Sequence, residues 1–390
     1  MIYFSAVGML NALGHSLDDI AANLVRGDAP GLRPSNDWLT GGRHCWIGHV
    51  DAELPQLPAE LARHNSRNNR LLLAALAQIR REVDDAIARF GRGRVAVILA
   101  TSTAGVDEAD RFISGADEGY HYAQQELGDP SRFLASLLGL SGPAYTLSTA
   151  CSSSARAIIS GQRLIEAGLA DVAIVGGADT LSRMPVNGFD SLESLSAARC
   201  APFSAQRDGI SIGEGAALML LTREPQAVAL LGVGESSDAY HMSAPHPQGE
   251  GAKRAIVMAL EQAGIQPRDL GYINLHGTAT RLNDRVEAQV IHDIFAGQVP
   301  CSSTKHLTGH TLGAAGVCEA ALCWLLLTRD LPLPAQDFSM GEIDSSLPRC
   351  GLLSAPQALE KPLILSNSFA FGGNNACLIL GVPDGRIAEC

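Results

Sequence analysis

The feature that most constrains the fold is a repeated alternation between short runs of β-branched residues and longer helical patterns. Residues 95–99 and 172–175 are rich in Val and Ile and end in small residues, as buried strands do. Residues 144–147 form another strand-like run, and the segment 151–168 that follows has the composition of a helix. Strands that lead into helices in this way predict an α/β fold.

The same order returns in the second half of the chain. Residues 271–275 and 299–303 are strand candidates, and residues 311–327 predict a long helix rich in small residues. Because the strand-to-helix junctions recur at matching places, we expect two related halves, 1–229 and 230–390, although no residue-by-residue repeat is visible.

Composition indicates an ordered chain with a large core. The 390 residues are 46% hydrophobic and 18% charged, and the 40 glycines are scattered rather than gathered into repeats. The N-terminus lacks the basic segment of a signal peptide, since the first basic residue is Arg26, and it predicts a first strand. Charges interrupt the apolar runs before they reach the length of a bilayer, so no membrane span is expected.

Charge and cysteine content disfavour several classes of function. A formal net charge of −12 is unfavourable for nucleic-acid binding, which needs clustered Lys and Arg, so no nucleic-acid partner is expected. The nine cysteines include no Cys-x-x-Cys pair, and neither a disulfide framework nor a metal site is predicted. A reducing cytoplasm fits this cysteine usage best.

One cysteine stands where a nucleophile would be useful. Cys151, in the sequence STACSSS of residues 148–154, precedes the helical segment directly. A cysteine at a helix start meets the positive end of the helix dipole and unpaired backbone N–H groups, which stabilise a thiolate and can hold an oxyanion. Most cysteines are buried small hydrophobes, but this position predicts a nucleophile able to attack a thioester.

Two histidines stand at comparable junctions in the second half. His276 ends a predicted strand among small polar residues, although a histidine is more often a surface or core residue. His310 opens the glycine- and alanine-rich helix, where the positive dipole end favours a neutral imidazole. A neutral hydrogen-bond donor and acceptor suits chemistry that passes through an enolate.

Ser211 is a second candidate nucleophile. It lies in GISIG at residues 209–213, which matches the Gly-x-Ser-x-Gly of serine hydrolases. That motif needs a strand before the serine and a helix after it, yet a polar segment precedes Ser211 and residues 216–221 predict a strand. Ser211 is therefore expected to be a loop residue, and a serine hydrolase is the weaker alternative.

Taken in order, these motifs resemble the elongating β-ketoacyl-acyl-carrier-protein synthases, the ketosynthases of types I and II. The resemblance spans nearly the whole chain and is carried by TACSS at 149–153, HGTAT at 276–280, Lys305 with GH at 309–310, and NSFAFGGNN at 367–375. It implies a thiolase fold, in which two pseudo-symmetric halves form five layers in the order α-β-α-β-α, usually within a dimer.

The resemblance also implies a ping-pong mechanism without a bound cofactor. Cys151 accepts an acyl chain from the phosphopantetheine of an acyl carrier protein, while the backbone N–H groups of Cys151 and Phe371 hold the oxyanion. Malonyl carrier protein then binds, and His276 and His310 hydrogen-bond its thioester carbonyl as decarboxylation forms an enolate. Lys305 and Glu319, a pair in this family, are expected to support the histidines.

Other matched positions carry expectations about the substrate. Thr278 and Thr280 match residues whose hydroxyl groups hold the phosphopantetheine arm. Phe371, followed by Gly372 and Gly373, matches a movable gate over the acyl pocket, because glycine permits unusual backbone angles.

Carrier proteins are acidic as a class, so docking requires a local basic patch. Arg63, Arg67 and Arg70 cluster on this otherwise acidic chain and form the predicted docking patch. A cluster of this kind is otherwise a solvated helix face.

Departures from the housekeeping enzymes point to a specialised pathway. Ser154 extends the serine run, and Thr103 stands where a bulkier aliphatic residue often lines the acyl pocket. We expect a specialised type II ketosynthase, such as that of aryl polyene biosynthesis, as a homodimer or as a heterodimer with a homologous chain-length-factor-like subunit. Because Cys151, His276 and His310 are all present, the role of a non-catalytic chain-length factor is the weaker alternative.

Overall fold

The computed structural model describes residues 1–116 and 119–383. The strands are β1 (Ile2–Leu10), β2 (Leu32–Ser35), β3 (Cys45–Gly48), β4 (Val95–Ala100), β5 (Ala144–Leu147), β6 (Val172–Asp179), β7 (Ile212–Gly213), β8 (Gly215–Thr222), β9 (Val228–Ser237), β10 (Tyr272–Asn274), β11 (Cys301–Ser302), β12 (Leu363–Phe369) and β13 (Asn374–Gly381). The α-helices are α1 (Leu17–Arg26), α2 (Arg67–Gln78), α3 (Arg80–Phe90), α4 (Val106–Ile113), α5 (Asp129–Leu138), α6 (Ser153–Glu166), α7 (Arg183–Ser191), α8 (Glu250–Ala263), α9 (Arg281–Phe295), α10 (Lys305–Thr308) and α11 (Ala315–Thr328).

The main sheet has the same topology in each half of the chain. Its order is β11-β10-β12-β13-β9-β1-β8-β6-β4-β5, so five strands of the second half are followed by five of the first. In each half, the strand that comes first in the chain lies at the centre of the sheet and the third lies at its edge. From the centre outwards, the first two strand pairings are antiparallel and the next two are parallel. The halves join where β1 and β9 pair over Ile2–Phe4 and Val228–Leu230.

Helices α6 and α11 fill the space between the two halves of the sheet. One hydrophobic cluster joins Ile158 of α6 and Leu322 of α11 to strand residues of both halves, including Val175 and Leu378. Helices α2, α3 and α5 cover the outer face of the first half, and α8 and α9 cover that of the second. The predicted five-layer fold with two pseudo-symmetric halves is therefore confirmed, whereas the division at residues 229 and 230, which falls within β9, stays a prediction.

The predicted strands and helices are present, but their ends differ in places that matter for the site. The helix predicted from residue 311 begins at Ala315, after a 3-10 turn at Leu312–Ala314, so His310 lies five residues before the α-helix. The strand predicted at 299–303 is only Cys301–Ser302. A second sheet, β2-β3-β7, was not predicted, because strands of two to four residues are too short to show a periodic pattern.

The described residues contain eight cysteines, all free. Across the same part of the chain, every helix is too short or too polar to cross a lipid bilayer.

Candidate active site

Cys151 lies where β5 leads into α6 through a sharp turn. Ala150 has a φ of 52°, a left-handed conformation that is uncommon for a residue other than glycine. Helix α6 begins at Ser153, two residues after Cys151, and the N–H and hydroxyl groups of Ser153 both donate to the carbonyl oxygen of Ala150. The turn directs the Cys151 side chain into the interior, where the residue is only 5% exposed.

Burial, rather than the helix start, controls the protonation of Cys151. Burial raises the pKa of its thiol to about 11. The N–H group of Phe371, the Lys305 ammonium and the N–H group of Cys151 itself lower this pKa, in decreasing order, without offsetting burial. The expectation that the helix start would stabilise a thiolate is thus corrected: the resting group is a neutral thiol, and the thiolate has to form during the reaction.

The hydrogen bonds of His310 fix which of its ring nitrogens carries the proton. The N–H group of Leu312 donates to Nδ1 over 3.1 Å, so Nδ1 is an acceptor. Burial, followed by the Lys305 charge, lowers the pKa of His310 well below its ordinary value, and the ring is neutral. The single ring proton therefore lies on Nε2, which is 3.1 Å from the sulfur of Cys151.

His276 is held in a similar state by Lys305. The Lys305 ammonium lies 3.5 Å from Nδ1 of His276 and donates to its backbone oxygen over 2.5 Å. Burial lowers the pKa of His276 well below the ordinary value, and the charge of Lys305 and the neighbouring His310 lower it further. Because an ammonium next to Nδ1 can only donate, the proton of the neutral ring is placed on Nε2.

The three side chains converge on one point. One sulfur or ring-nitrogen atom from each of Cys151, His276 and His310 lies within 4.8 Å of the others, and the two imidazole rings are nearly perpendicular with centroids 5.5 Å apart. This spacing would also suit a metal-ligand set, whereas the groups at Nδ1 of both rings favour a proton on each Nε2. Two neutral N–H donors beside a thiol instead form a site for a polarised carbonyl oxygen.

Lys305 and Glu319 form a buried ion pair behind the histidines. The ammonium lies 2.5 Å from Oε1 of Glu319, and both side chains are almost fully buried. Burial raises the pKa of Glu319, and the charge of Lys305 opposes that rise. The pair keeps a positive charge near both rings, which favours their neutral forms.

Two carboxylates that the sequence analysis did not single out hold the loop after His276. Glu287 of α9 accepts the backbone N–H groups of His276 over 2.8 Å and of Gly277 over 2.7 Å, and burial raises its pKa to about 7. One turn earlier, Asp284 accepts the N–H groups of Thr278 and Ala279. Both acids lie on the buried face of an otherwise amphipathic helix, and that placement is the signal from which sequence reasoning could have found them.

A pocket with about 630 Å³ of empty space, counting its open mouth, leads from the surface to Cys151. Thr278 and Thr280 line it, and their hydroxyl oxygens are 2.9 Å apart. The other lining residues are Phe189, Ser194, Ile210, Asp238, Ser243, Pro245, His276, Leu282, Asn283, His310, Phe369, Ala370, Phe371 and Asn375.

Phe371 closes one side of this pocket. Its ring packs against Phe189 with centroids 5.3 Å apart, and two glycines with φ values of 83° and 77°, Gly372 and Gly373, follow it. The N–H group of Gly372 donates to the carbonyl oxygen of Met242 over 2.8 Å. The predicted gate therefore stands beside the nucleophile on a glycine-bearing loop, and its movement stays a prediction.

Thr103 has a different environment from the predicted pocket wall. It is buried, and its hydroxyl group donates to Asp179 over 2.7 Å. Asp179 also accepts the hydroxyl groups of Thr101 and Ser102, so it binds the chain after β4. Thr103 does not line the pocket described above.

The predicted basic patch is largely used for contacts within the chain. Arg67 forms an ion pair with the fully buried Glu214. Arg70 donates to two backbone carbonyl groups, and Arg63 donates to the ring of His64 over 2.9 Å. Arg67 in particular has its charge balanced internally, which the sequence pattern did not reveal.

Ser211 lacks the surroundings of a nucleophile. It is fully buried, and its hydroxyl oxygen accepts the N–H group of Cys200 over 3.0 Å. Strand β7 begins at the next residue, with no helix after it. The position has the loop role that the sequence predicted.

Comparison with known proteins agrees with this arrangement. The family model of the β-ketoacyl synthase N-terminal domain matches residues 35–227, and that of the C-terminal domain matches residues 228–338. This chain belongs to the β-ketoacyl synthase family. Its similarity to 3-oxoacyl-[acyl-carrier-protein] synthase 2 of Staphylococcus aureus is 35% identity over 262 residues, 62% of each protein. The chain thus spans 62% of the length of the curated relatives it matches.

Solved structures of β-ketoacyl synthases match a larger share of the chain. A ketosynthase in complex with its chain length factor from Xenorhabdus doucetiae is 68% identical, with a TM-score of 0.97 and 98% of each chain covered. The ishigamide ketosynthase/chain length factor is 26% identical, with a TM-score of 0.86 and the same coverage. These matches establish the thiolase-type ketosynthase fold.

Proposed function

We propose that this chain is an elongating β-ketoacyl-acyl-carrier-protein synthase. The observation that carries the proposal is the site at the end of the pocket, where a thiol faces two neutral imidazoles that present Nε2–H donors. A nucleophile and donors for a carbonyl oxygen are the groups that decarboxylative condensation of thioesters requires.

In the first half-reaction, the sulfur of Cys151 attacks the carbonyl carbon of an acyl thioester. As the C–S bond forms, the thiol proton passes to water, and the N–H groups of Cys151 and Phe371, which already lie at the sulfur, stabilise the oxyanion. The bond to the carrier sulfur then breaks, and the carrier thiolate takes a proton from water as it leaves, so no net proton is lost or gained. The acyl chain remains on Cys151.

In the second half-reaction, malonyl carrier protein places its thioester oxygen between the histidines. Cleavage of the bond to the carboxylate releases carbon dioxide, and the electron pair moves into an enolate whose oxygen accepts from Nε2–H of His276 and of His310. The enolate carbon attacks the acyl carbon on Cys151, and the sulfur leaves and regains a proton. Because burial and, after it, the charge of Lys305 lower the pKa of both rings and keep them neutral, they donate hydrogen bonds without needing to lose a proton.

The substrates are proposed to arrive on the phosphopantetheine of a carrier protein in the cytoplasm. Thr278 and Thr280 line the same pocket as Cys151, and their hydroxyl groups are proposed to bind this arm. The similarity to a ketosynthase that works in complex with a chain length factor supports a specialised type II pathway, such as aryl polyene biosynthesis.

A homologous chain-length-factor-like subunit is the proposed partner. Strand β5 ends the main sheet, and within the described residues its outer side pairs with no other strand. Helix α4, which follows the neighbouring strand β4 in the chain, exposes Phe112 and Ile113. An open sheet edge and exposed apolar side chains are both features that another subunit is expected to cover.

Mass spectrometry of the intact protein tests the function directly. Purified protein is offered acyl carrier protein, then malonyl carrier protein, and both the mass of the enzyme and the condensed product are followed. Cys151→Ala is expected to abolish acylation, whereas His310→Ala keeps measurable acylation and loses condensation by about a hundredfold or more. Equal loss of both steps in His310→Ala contradicts the division of roles, and wild-type protein that never gains acyl mass contradicts the function.

A further inference from the structure

The N-terminal end of α9 places two arginines, Arg281 and Arg285, beside the mouth of the pocket. Arg281 and Arg285 are exposed, and Leu282 between them is 48% exposed while it also lines the pocket together with Asn283. Residues four apart lie on the same face of a helix. The two guanidinium groups therefore share one face next to the route to Cys151.

The positions of these two charges are unfavourable for the stability of α9. Neither arginine forms an ion pair or side-chain hydrogen bond within residues 1–116 and 119–383. Like charges four residues apart, and a positive charge in the first turn, each destabilise a helix. The acids of the same helix segment, Asp284 and Glu287, face inward and bind backbone N–H groups.

A substrate carried on phosphopantetheine brings negative charge to this place. Its thiol end reaches Cys151, and its other end is a phosphodiester on the surface of the carrier protein. Because the arm leaves through the pocket mouth, the phosphodiester and the acidic carrier surface lie outside that mouth. Met242 is 80% exposed, its carbonyl oxygen accepts the N–H group of Gly372 beside the gate residue Phe371, and it directly precedes Ser243, which lines the pocket.

We propose that Arg281, Leu282, Arg285 and Met242 form the docking surface for the acyl carrier protein, here called the α9 docking surface. The two arginines attract the phosphodiester and the acidic carrier, and the two apolar side chains contact it. This inference rests on the proposed function and names the surface through which its substrate arrives. The α9 docking surface replaces the patch of Arg63, Arg67 and Arg70 that the sequence predicted, because Arg67 forms an ion pair with Glu214.

Charge reversal tests this surface. Arg281→Glu, Arg285→Glu and the double variant are compared with Arg268→Glu, an exposed residue before β10, at the end of that strand opposite His276. A glutamate at position 281 lies in the first helical turn, where a negative charge is favourable, and position 285 is exposed, so folding is expected to be preserved. Each protein receives the same acyl chain on carrier protein, on free phosphopantetheine and on pantetheine, and acylation of Cys151 is measured at low and high salt.

The double variant is expected to lower kcat/KM with carrier protein by about tenfold or more at low salt, to flatten the salt dependence, and to leave acylation by acyl-pantetheine unchanged. If kcat/KM falls with free acyl-phosphopantetheine as well, the arginines contact the phosphate. If kcat/KM falls only with the carrier protein, the arginines contact the protein surface of the carrier. The surface is refuted if the double variant matches Arg268→Glu with carrier protein, or if acyl-pantetheine suffers equally. Wild-type protein that accepts no donor contradicts the proposed function itself.

Discussion

At the scale of single residues, the three groups that face the substrate are neutral, and they lie in front of the buried ion pair of Lys305 and Glu319. The thiol of Cys151 and both imidazoles are uncharged at neutral pH, because burial raises the pKa of the thiol to about 11 and lowers the pKa of both rings. The group whose protonation changes near neutral pH is Glu287, with a pKa raised by burial to about 7. Its two oxygens hold the N–H groups of His276 and Gly277.

The titration of Glu287 is expected to cause the acidic limb of the pH profile of condensation. Protonation leaves one of the two backbone N–H groups without an acceptor, so condensation is expected to fall as pH drops below about 7. Since the pKa in the folded protein lies above the ordinary value of 4.5, this group makes folding more favourable as pH falls from about 7 towards 4.5. The loss of activity is therefore distinct from acid unfolding.

Glu287→Gln, which resembles the protonated state, is expected to be about tenfold slower in condensation above about pH 8 and to lose the acidic limb. Steady-state rates across pH, with circular dichroism as the control for folding, measure this. A variant that keeps the wild-type limb shows that another group controls it.

At the scale of elements, the approach of α6 to α11 sets the distance between nucleophile and histidine. Cys151 precedes α6, His310 precedes α11, and Gly316 allows the two helices to come close. A Cβ atom at Gly316 would lie 2.7 Å from the backbone nitrogen of Ala155 and 2.8 Å from its Cβ. The absence of a side chain is therefore a requirement of packing.

Gly316→Ala is expected to force the helices apart, to lower the free energy of unfolding by about 1–3 kcal/mol, and to slow condensation. The matched control is Gly188→Ala in α7, where no other atom lies within 4 Å of the added Cβ. Alanine there is expected to preserve stability or to raise it by up to about 1 kcal/mol. Chemical denaturation of both variants measures the difference, and equal stability contradicts the packing argument.

At the scale of the whole molecule, the unpaired edge at β5 predicts a second subunit. Co-expression with a homologous chain-length-factor-like protein is expected to give a complex of one copy of each, because a sheet edge is covered by one partner strand. Native mass spectrometry gives the stoichiometry, and acylation gives the number of active sites. One acyl group per two chains is expected, whereas a homodimer with two acylated chains contradicts the heterodimer.

The sequence by itself determined the α/β class, the two related halves and the residues that are proposed to perform the chemistry. Val- and Ile-rich runs ending in small residues predict strands because side-chain pattern and backbone conformation are local, and Cys151, His276 and His310 stand in distinctive short motifs. Only the tertiary structure decided how these groups behave. Burial keeps Cys151 a thiol, and Glu287 holds the His276 loop. Protonation and ion pairing depend on what packs around a group, and those neighbours are far away in the chain.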